Sequence, residues 1–213
     1  NQLIRLAQAS TSVRQSKEEI VRKIQFLTKS EKSLWMKFLP TINIPPGLRA
    51  RIKEQIAVGD LLKHHWLNFG SYENWRQIKA GNLQPRIEGV MDFLEPYGSQ
   101  NEDISNWVTS HRARIEEAFD AVASIYAEKA ARRVDRIRRV MAAADPNWAA
   151  EGTLSQKAVR AVRSTPGVSC VLVGMRREEY VADVLAELRR PVKRGGHLES
   201  WQTLAAELAN TAL

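Results

Sequence analysis

One short run constrains this chain more than any other feature. "VSCVLVG", residues 168–174, is β-branched, apolar and closed by glycines, and it is the single convincing β-strand in 213 residues. A lone strand cannot form a sheet, because its backbone N–H and C=O groups need partners on both edges. The strand predicted over Ser169–Gly174 therefore requires partners from a second copy, another chain or a larger polypeptide. Everything around it reads as helix.

Ile20, Ile24 and Leu27 recur at helical spacing behind Ser16, with charged residues between them. A short helix is expected after Ser30, with Leu34, Trp35 and Phe38 on one side, stopped by Pro40 and "NIPPG". Ile52, Ile56, Leu61 and Leu62 give another, with Gly59 as a break. Ser71 caps "YENWRQIKAG", and Gly81 is expected to end that piece. Residues 101–144 contain neither Gly nor Pro, and Ile115, Phe119, Val122, Tyr126, Val134, Ile137 and Met141 recur every three to four residues. They predict one long helix, or two with a bend, closed by "DPNW". Helices are also expected from Thr153 to Arg163, after Gly174, and around Leu198, Trp201, Leu204 and Leu208.

Composition narrows the functional classes. Lys and Arg total 32 against 24 Asp and Glu, a net charge of +8 that favours phosphate-bearing partners. Arg132, Arg133, Arg136, Arg138 and Arg139 cluster towards the end of the long helix, where the helix dipole favours cations. The single cysteine, Cys170, cannot form an internal disulfide, and its apolar run predicts burial. No apolar segment approaches the roughly 20 residues that span a bilayer, so no membrane partner is expected and a cytoplasmic location is. A start at Asn1 rather than Met also fits an organelle protein whose transit peptide has been removed.

The common catalytic motifs are absent: there is no GxGxxG, GxxxxGK[ST], GxSxG or HExxH. His64 and His65 are neighbours and point about 100° apart on a helix, so they do not make an i, i+4 metal pair. No metal site is predicted. Glu18–Glu19, Glu116–Glu117 and Glu178–Glu179 read as solvated faces among cations. Trp35, Trp66, Trp75, Trp107 and Trp201 fall on apolar faces and read as core.

"LSQKAVRAVRSTPGVS" has the look of a helix-turn-helix, but an apolar β-type run comes after the turn where a polar recognition helix is needed. Helix, tight turn, strand, glycine, helix is instead an α/β rhythm. Leu154, Gln156, Ala158, Pro166, Gly167 and Val168, followed by "VLVGMRREEYVADVL", resemble the final helix, eighth strand and eighth helix of the aldo/keto reductases. The resemblance covers about 36 residues, and "NQLIRLA" more loosely resembles the segment after the seventh strand in some members. It implies the C-terminal portion of a (β/α)8 barrel carrying a large helical insertion, in a chain that is itself mainly α with one or few strands. The implied organisation is a barrel remnant at 1–8, a helical region or insertion at 9–150, the last helix-strand-helix at 151–190, and a linker with an amphipathic helix at 191–213.

The activity implied is that of an NADP-dependent carbonyl reductase, and its cofactor's adenosine end would be held here. On that resemblance Gly174 and Met175 form the turn, and Arg176, aided by Arg177, faces the 2′-phosphate. Tyr180 stands where the family has a glutamine, Asp183 where it has a glutamate, and Val184 where an asparagine commonly reaches the adenine. The family's catalytic aspartate, tyrosine, lysine and histidine belong to the barrel's first half, and no residue here takes their place. This chain alone is therefore not expected to catalyse hydride transfer. Its partners would be a nicotinamide dinucleotide and the missing barrel half or another chain. The alternative is a helical interaction or regulatory module that binds nucleic acid through its basic helix.

Overall fold

The structure, a computed structural model, describes residues 16–149, 151–174 and 177–209. It is mainly helical, and no β-strand occurs among the described residues. The chain divides into two compact units at Ala130/Ala131, inside its longest helix.

The first unit begins with α1, Lys17–Ser33. Ser16 caps it in a reciprocal box: its hydroxyl accepts the Glu19 N–H at 3.1 Å, and the Glu19 carboxylate accepts the Ser16 N–H at 2.9 Å. The short helix expected after Ser30 is not separate. The backbone continues into a π-helical turn at Leu34–Phe38 and a 3-10 turn at Leu39–Thr41, because Leu34 and Leu39 are fully buried and hold the winding in place. Helices α2 (Pro46–Ile56) and α3 (Val58–His65) come next. The break falls at Ala57, and Gly59 lies inside α3 for a different reason: a Cβ there would sit 2.6 Å from Thr28 Oγ1 and 2.8 Å from the Thr28 backbone nitrogen. Only glycine lets α3 approach α1 this closely.

Ser71 caps α4 (Tyr72–Ile78) as expected, accepting the Asn74 N–H. Gly81 does not end it. The chain winds through a π-helical turn, Lys79–Leu83, straight into α5 (Gln84–Gly98). Gly81 has no positive φ, so it makes no helix-ending turn, and fully buried Leu83 fixes the continuation. The long helix α6 runs unbroken from Glu102 to Ala144. Its first part supplies Ile115, Phe119, Val122 and Tyr126 to a core shared with Ile20, Leu27, Leu62, Trp75 and Leu94. The Tyr126 hydroxyl donates to the Trp66 carbonyl and accepts the Phe69 N–H, both at 2.9 Å, which fixes the α3–α4 connection. Trp66, Trp75 and Trp107 are buried as predicted.

The second unit comprises the end of α6, a 3-10 turn at Pro146–Trp148, α7 (Leu154–Ser164), α8 (Glu178–Leu188) and α9 (Leu198–Ala209). Its apolar core is small: Met141, Trp148, Ala161 and Leu204, with Ile137, Val140 and Trp201 against them. Gly167 takes φ +85° in the "TPG" turn, a conformation that suits only glycine there. Beyond it the strand predicted at Ser169–Gly174 does not form. Those residues carry no regular structure, and no backbone hydrogen bond joins them to other described residues, so the ladder that defines a strand is missing. Cys170 is correspondingly exposed instead of buried, since no second layer lies over it.

Candidate functional site

The helix–turn–extended–helix segment of the second unit carries the residues singled out by the sequence. Its two helices are joined by a polar ladder. Thr153, Gln156, Arg160 and Arg163 recur at helical spacing along α7 and its cap, opposite Asp183 and Glu187 one turn apart on α8. The Thr153 hydroxyl lies 3.0 Å from both Asp183 carboxylate oxygens. Gln156 Nε2 donates to the Asp183 carbonyl at 3.1 Å. Arg160 grips the Glu187 carboxylate with two nitrogens, Nε to Oε1 at 2.8 Å and Nη2 to Oε2. Arg163 Nη1 donates to the Glu187 carbonyl at 2.9 Å, satisfying the C-terminal end of α8. Glu187 is fully buried and Arg160 nearly so, so their forked pairing, with Arg163 Nη1 3.9 Å from Glu187 Oε1, is what lets the two charges be buried. The sequence reading missed this ladder, although cations and amides at 156, 160 and 163 with acids at 183 and 187 are its signature.

The predicted cofactor residues are distributed around the head of α8. Gly174 is exposed, and a Cβ there would meet nothing within 4 Å. Met175 and Arg176 lie outside the described residues. Arg177, at the N-cap position, is exposed and its guanidinium has no partner among the described residues. Tyr180 is half-buried. Asp183 is one turn further on, its carboxylate committed to Thr153. Arg177 and Tyr180 lie within one turn of the helix start and Gly174 precedes it in sequence, whereas Asp183 belongs to the ladder. Glu178 and Glu179 occupy the first turn of α8 and satisfy its positive end, so an anion there has to be drawn chiefly by arginine.

The extended stretch has a two-residue rhythm of exposure. Cys170, Leu172 and Gly174 face outward while Val171 and Val173 are half-buried, and Leu172 is 96% exposed. On α8, Val181, Leu185 and Leu188 form an exposed apolar row at i, i+4 and i+7. A cleft of about 510 Å3 is lined by Val159, Val171, Val173 and Val184 together with Arg163, Arg190 and Arg194.

Elsewhere in this unit Asp145 caps the 3-10 turn through the Asn147 N–H at 2.8 Å, accepts the Ser200 hydroxyl at 3.0 Å, and pairs with His197 Nδ1. Burial opposes the charge on Asp145, but the hydrogen bonds from Asn147, Ser200 and His197 outweigh it and hold the carboxyl below its usual range. Ser200 bonds the aspartate and not the imidazole, so the group has no relayed nucleophile and serves to dock α9 beside Trp148.

The first unit buries two ionisable side chains singly. Glu31 Oε1 accepts the Gly59 N–H at 2.7 Å while Oε2 has no hydrogen-bond partner among the described residues, and burial pushes the acid up to about 8. His111 stacks on Trp107 and meets Ser30 Oγ at 2.8 Å; burial, with Arg114 nearby, pushes it down to about 3. Both are neutral at pH 7.

No group of His, Cys, Asp and Glu among the described residues is arranged to hold a metal, and no described helix is long and apolar enough to cross a membrane. No protein-family model, curated protein or solved structure matches the chain.

Proposed function

We propose that this chain is the C-terminal part of an NADP-dependent, aldo/keto reductase-like oxidoreductase: a helical region followed by the last helix–strand–helix of a (β/α)8 barrel, which supplies the adenosine-phosphate end of the cofactor site. The observation that carries this reading is the unpaired stretch Ser169–Gly174. From Cys170 on it has the alternating exposure of a strand, it lies between two helices, it has no backbone partner among the described residues, and it exposes Leu172. Such a segment is built to be covered on both edges by neighbouring strands. Those strands would come from the missing barrel half or another chain.

The residues at the head of α8 fit a 2′-phosphorylated nucleotide in part. The Arg177 guanidinium has no partner among the described residues, Gly174 leaves the backbone open to close approach, and Arg176 stands between them in sequence. Val184 is buried and Asp183 engaged, so neither is offered to an adenine. The bound cofactor would supply hydride; this chain's residues would hold its phosphate and complete the wall of the barrel.

The test is to measure the mass of the intact polypeptide and titrate it with NADPH and NADH. Binding that prefers NADPH, with the preference abolished in Arg176→Ala, is the expected result. An intact polypeptide that binds neither nucleotide overturns it.

A further inference from the structure

The arginine face of α6 is carried by a different observation and does not depend on the reductase reading. Residues 132–139 read "RRVDRIRR", five arginines and one aspartate. Ile137, Val140 and Met141 turn towards the core of the second unit, and Arg132, Arg133, Arg136 and Arg139 are exposed. The helix dipole does not account for them. The helix runs on to Ala144 with no basic residue in its last turn, and the dipole's influence fades within a turn of the end.

Internal pairing does not account for them either. Asp135 meets Arg138 at 3.7 Å, both partly exposed, and Arg132 has an interaction of its own. Arg133, Arg136 and Arg139 have no hydrogen bond or ion pair among the described residues. Like charges three and four apart destabilise a helix by a few tenths of a kcal/mol per pair, so the spacing costs stability unless something binds it. A hollow of about 620 Å3 is lined by Arg132, Asp135, Arg136, Arg138 and Arg139. The Nε of Arg138 is shielded and has no acceptor among the described residues. Further positive charge lies behind: buried Lys157 is held below its ordinary value by burial and then by the charges of Arg160 and Arg138.

We infer that this face binds the phosphodiester backbone of nucleic acid. A guanidinium fork matches a phosphate's oxygens. At 1.5 Å rise per residue, Arg132 to Arg139 spans about 10 Å, room for roughly three phosphates of one strand at about 3.4 Å each. No exposed large apolar side chain lies between residues 131 and 143, so the face has nothing to insert into a bilayer. It has no aromatic ring either, so bases are neither stacked nor read and binding is indifferent to sequence.

The experiment uses the full chain and a fluorescent 20-nucleotide single strand, as RNA and as DNA, titrated by anisotropy at several salt concentrations from 50 to 300 mM. The charge-loss variant is Arg133→Gln, Arg136→Gln and Arg139→Gln, all exposed; the control is Arg22→Gln, Arg51→Gln and Lys63→Gln, equal in charge and exposed on the first unit. Circular dichroism verifies that both variants keep their helices. Binding is expected to fall about tenfold or more in the first variant, its slope of log K against log salt becoming shallower by about two, with the control close to the parent. No binding at 50 mM salt overturns the inference, as does equal loss in both variants, which would make net charge the cause. Binding to phosphatidylserine vesicles, lost in the first variant while nucleic acid fails to bind, overturns it in favour of a membrane surface.

Discussion

The two units solve the problem of buried polarity in opposite ways. Residues 16–130 bury Glu31 and His111 one at a time and keep each neutral inside an extensive apolar core. Residues 131–209 bury polar groups against directed partners, Arg160 against Glu187, Asp145 against His197 and Lys157 against the Ala149 carbonyl, around a core of four residues. The first unit is held by apolar area. The second is held by directed polar contacts; both units leave apolar side chains in solvent, Phe26, Met36 and Leu67 singly in the first, but only the second sets them in a row on one helix, Val181, Leu185 and Leu188 of α8. A unit that fixes its helices so specifically while leaving a contiguous apolar row uncovered is shaped for a surface that it does not itself contain.

The largest effect that tests this contrast is at the ladder. Glu187→Ala leaves Arg160 buried and unpaired, and removing one partner of a buried pair costs about 3–5 kcal/mol. Hydrogen exchange at α7 and α8 amides is the suitable measurement, because it reports the second unit by itself. Protection there should collapse while α1 and α5 amides keep theirs. Replacing both partners, Arg160→Met with Glu187→Leu, should restore much of the loss. If the single variant loses less than about 0.5 kcal/mol of protection, the ladder is not what holds the unit.

The next effect is a pH dependence of the first unit, with two limbs of opposite sign. Glu31, raised from 4.5 to about 8, stabilises fully below pH 4.5, and that contribution is lost as pH rises through 8. His111, lowered from 6.5 to about 3, costs nothing above pH 6.5 and an increasing amount as pH falls towards 3. Exchange protection of α1 and α5 should therefore peak between pH 4.5 and 6.5, each limb sloping by at most about 1.4 kcal/mol per pH unit. Glu31→Gln should flatten the alkaline limb only, and His111→Gln the acid limb only. In the second unit the matching group is Asp145, whose lowered range puts its loss below pH 3.8. A flat alkaline limb in the parent would mean that Glu31 is ionised and paired.

Most helices were legible because apolar residues recur at 3.6-residue intervals and Ser71 offers a cap, which forms; Ser16 and Thr153, read only as helix starts, cap theirs as well. The failures all depend on the far side of a contact. Gly81 looks like a stop, yet Leu83 is anchored and the helix winds on. Gly59 looks like a break, yet it is where two helices meet. "VSCVLVG" has strand chemistry, but a strand exists only by virtue of its neighbour, and Cys170 could not be buried without one. At the candidate site, Arg177 and Gly174 stand open at the head of α8, whereas the ladder through Asp183 and Glu187 was hidden because its halves are about 30 residues apart.

The smallest expected effect is the sharpest test of the contrast. Leu94 of the first unit is fully buried, and Leu94→Ala should cost about 2–5 kcal/mol. Leu185 of the second is 44% exposed, and Leu185→Ala should cost no more than about 0.5 kcal/mol. The comparison is best made by exchange protection at low and high protein concentration, since an uncovered apolar row invites association as concentration rises. If Leu185→Ala matches Leu94→Ala only when concentrated, a second copy covers the row. If it matches even when dilute, the row is covered within the chain, and the unpaired stretch beside it loses its claim to need strands from elsewhere.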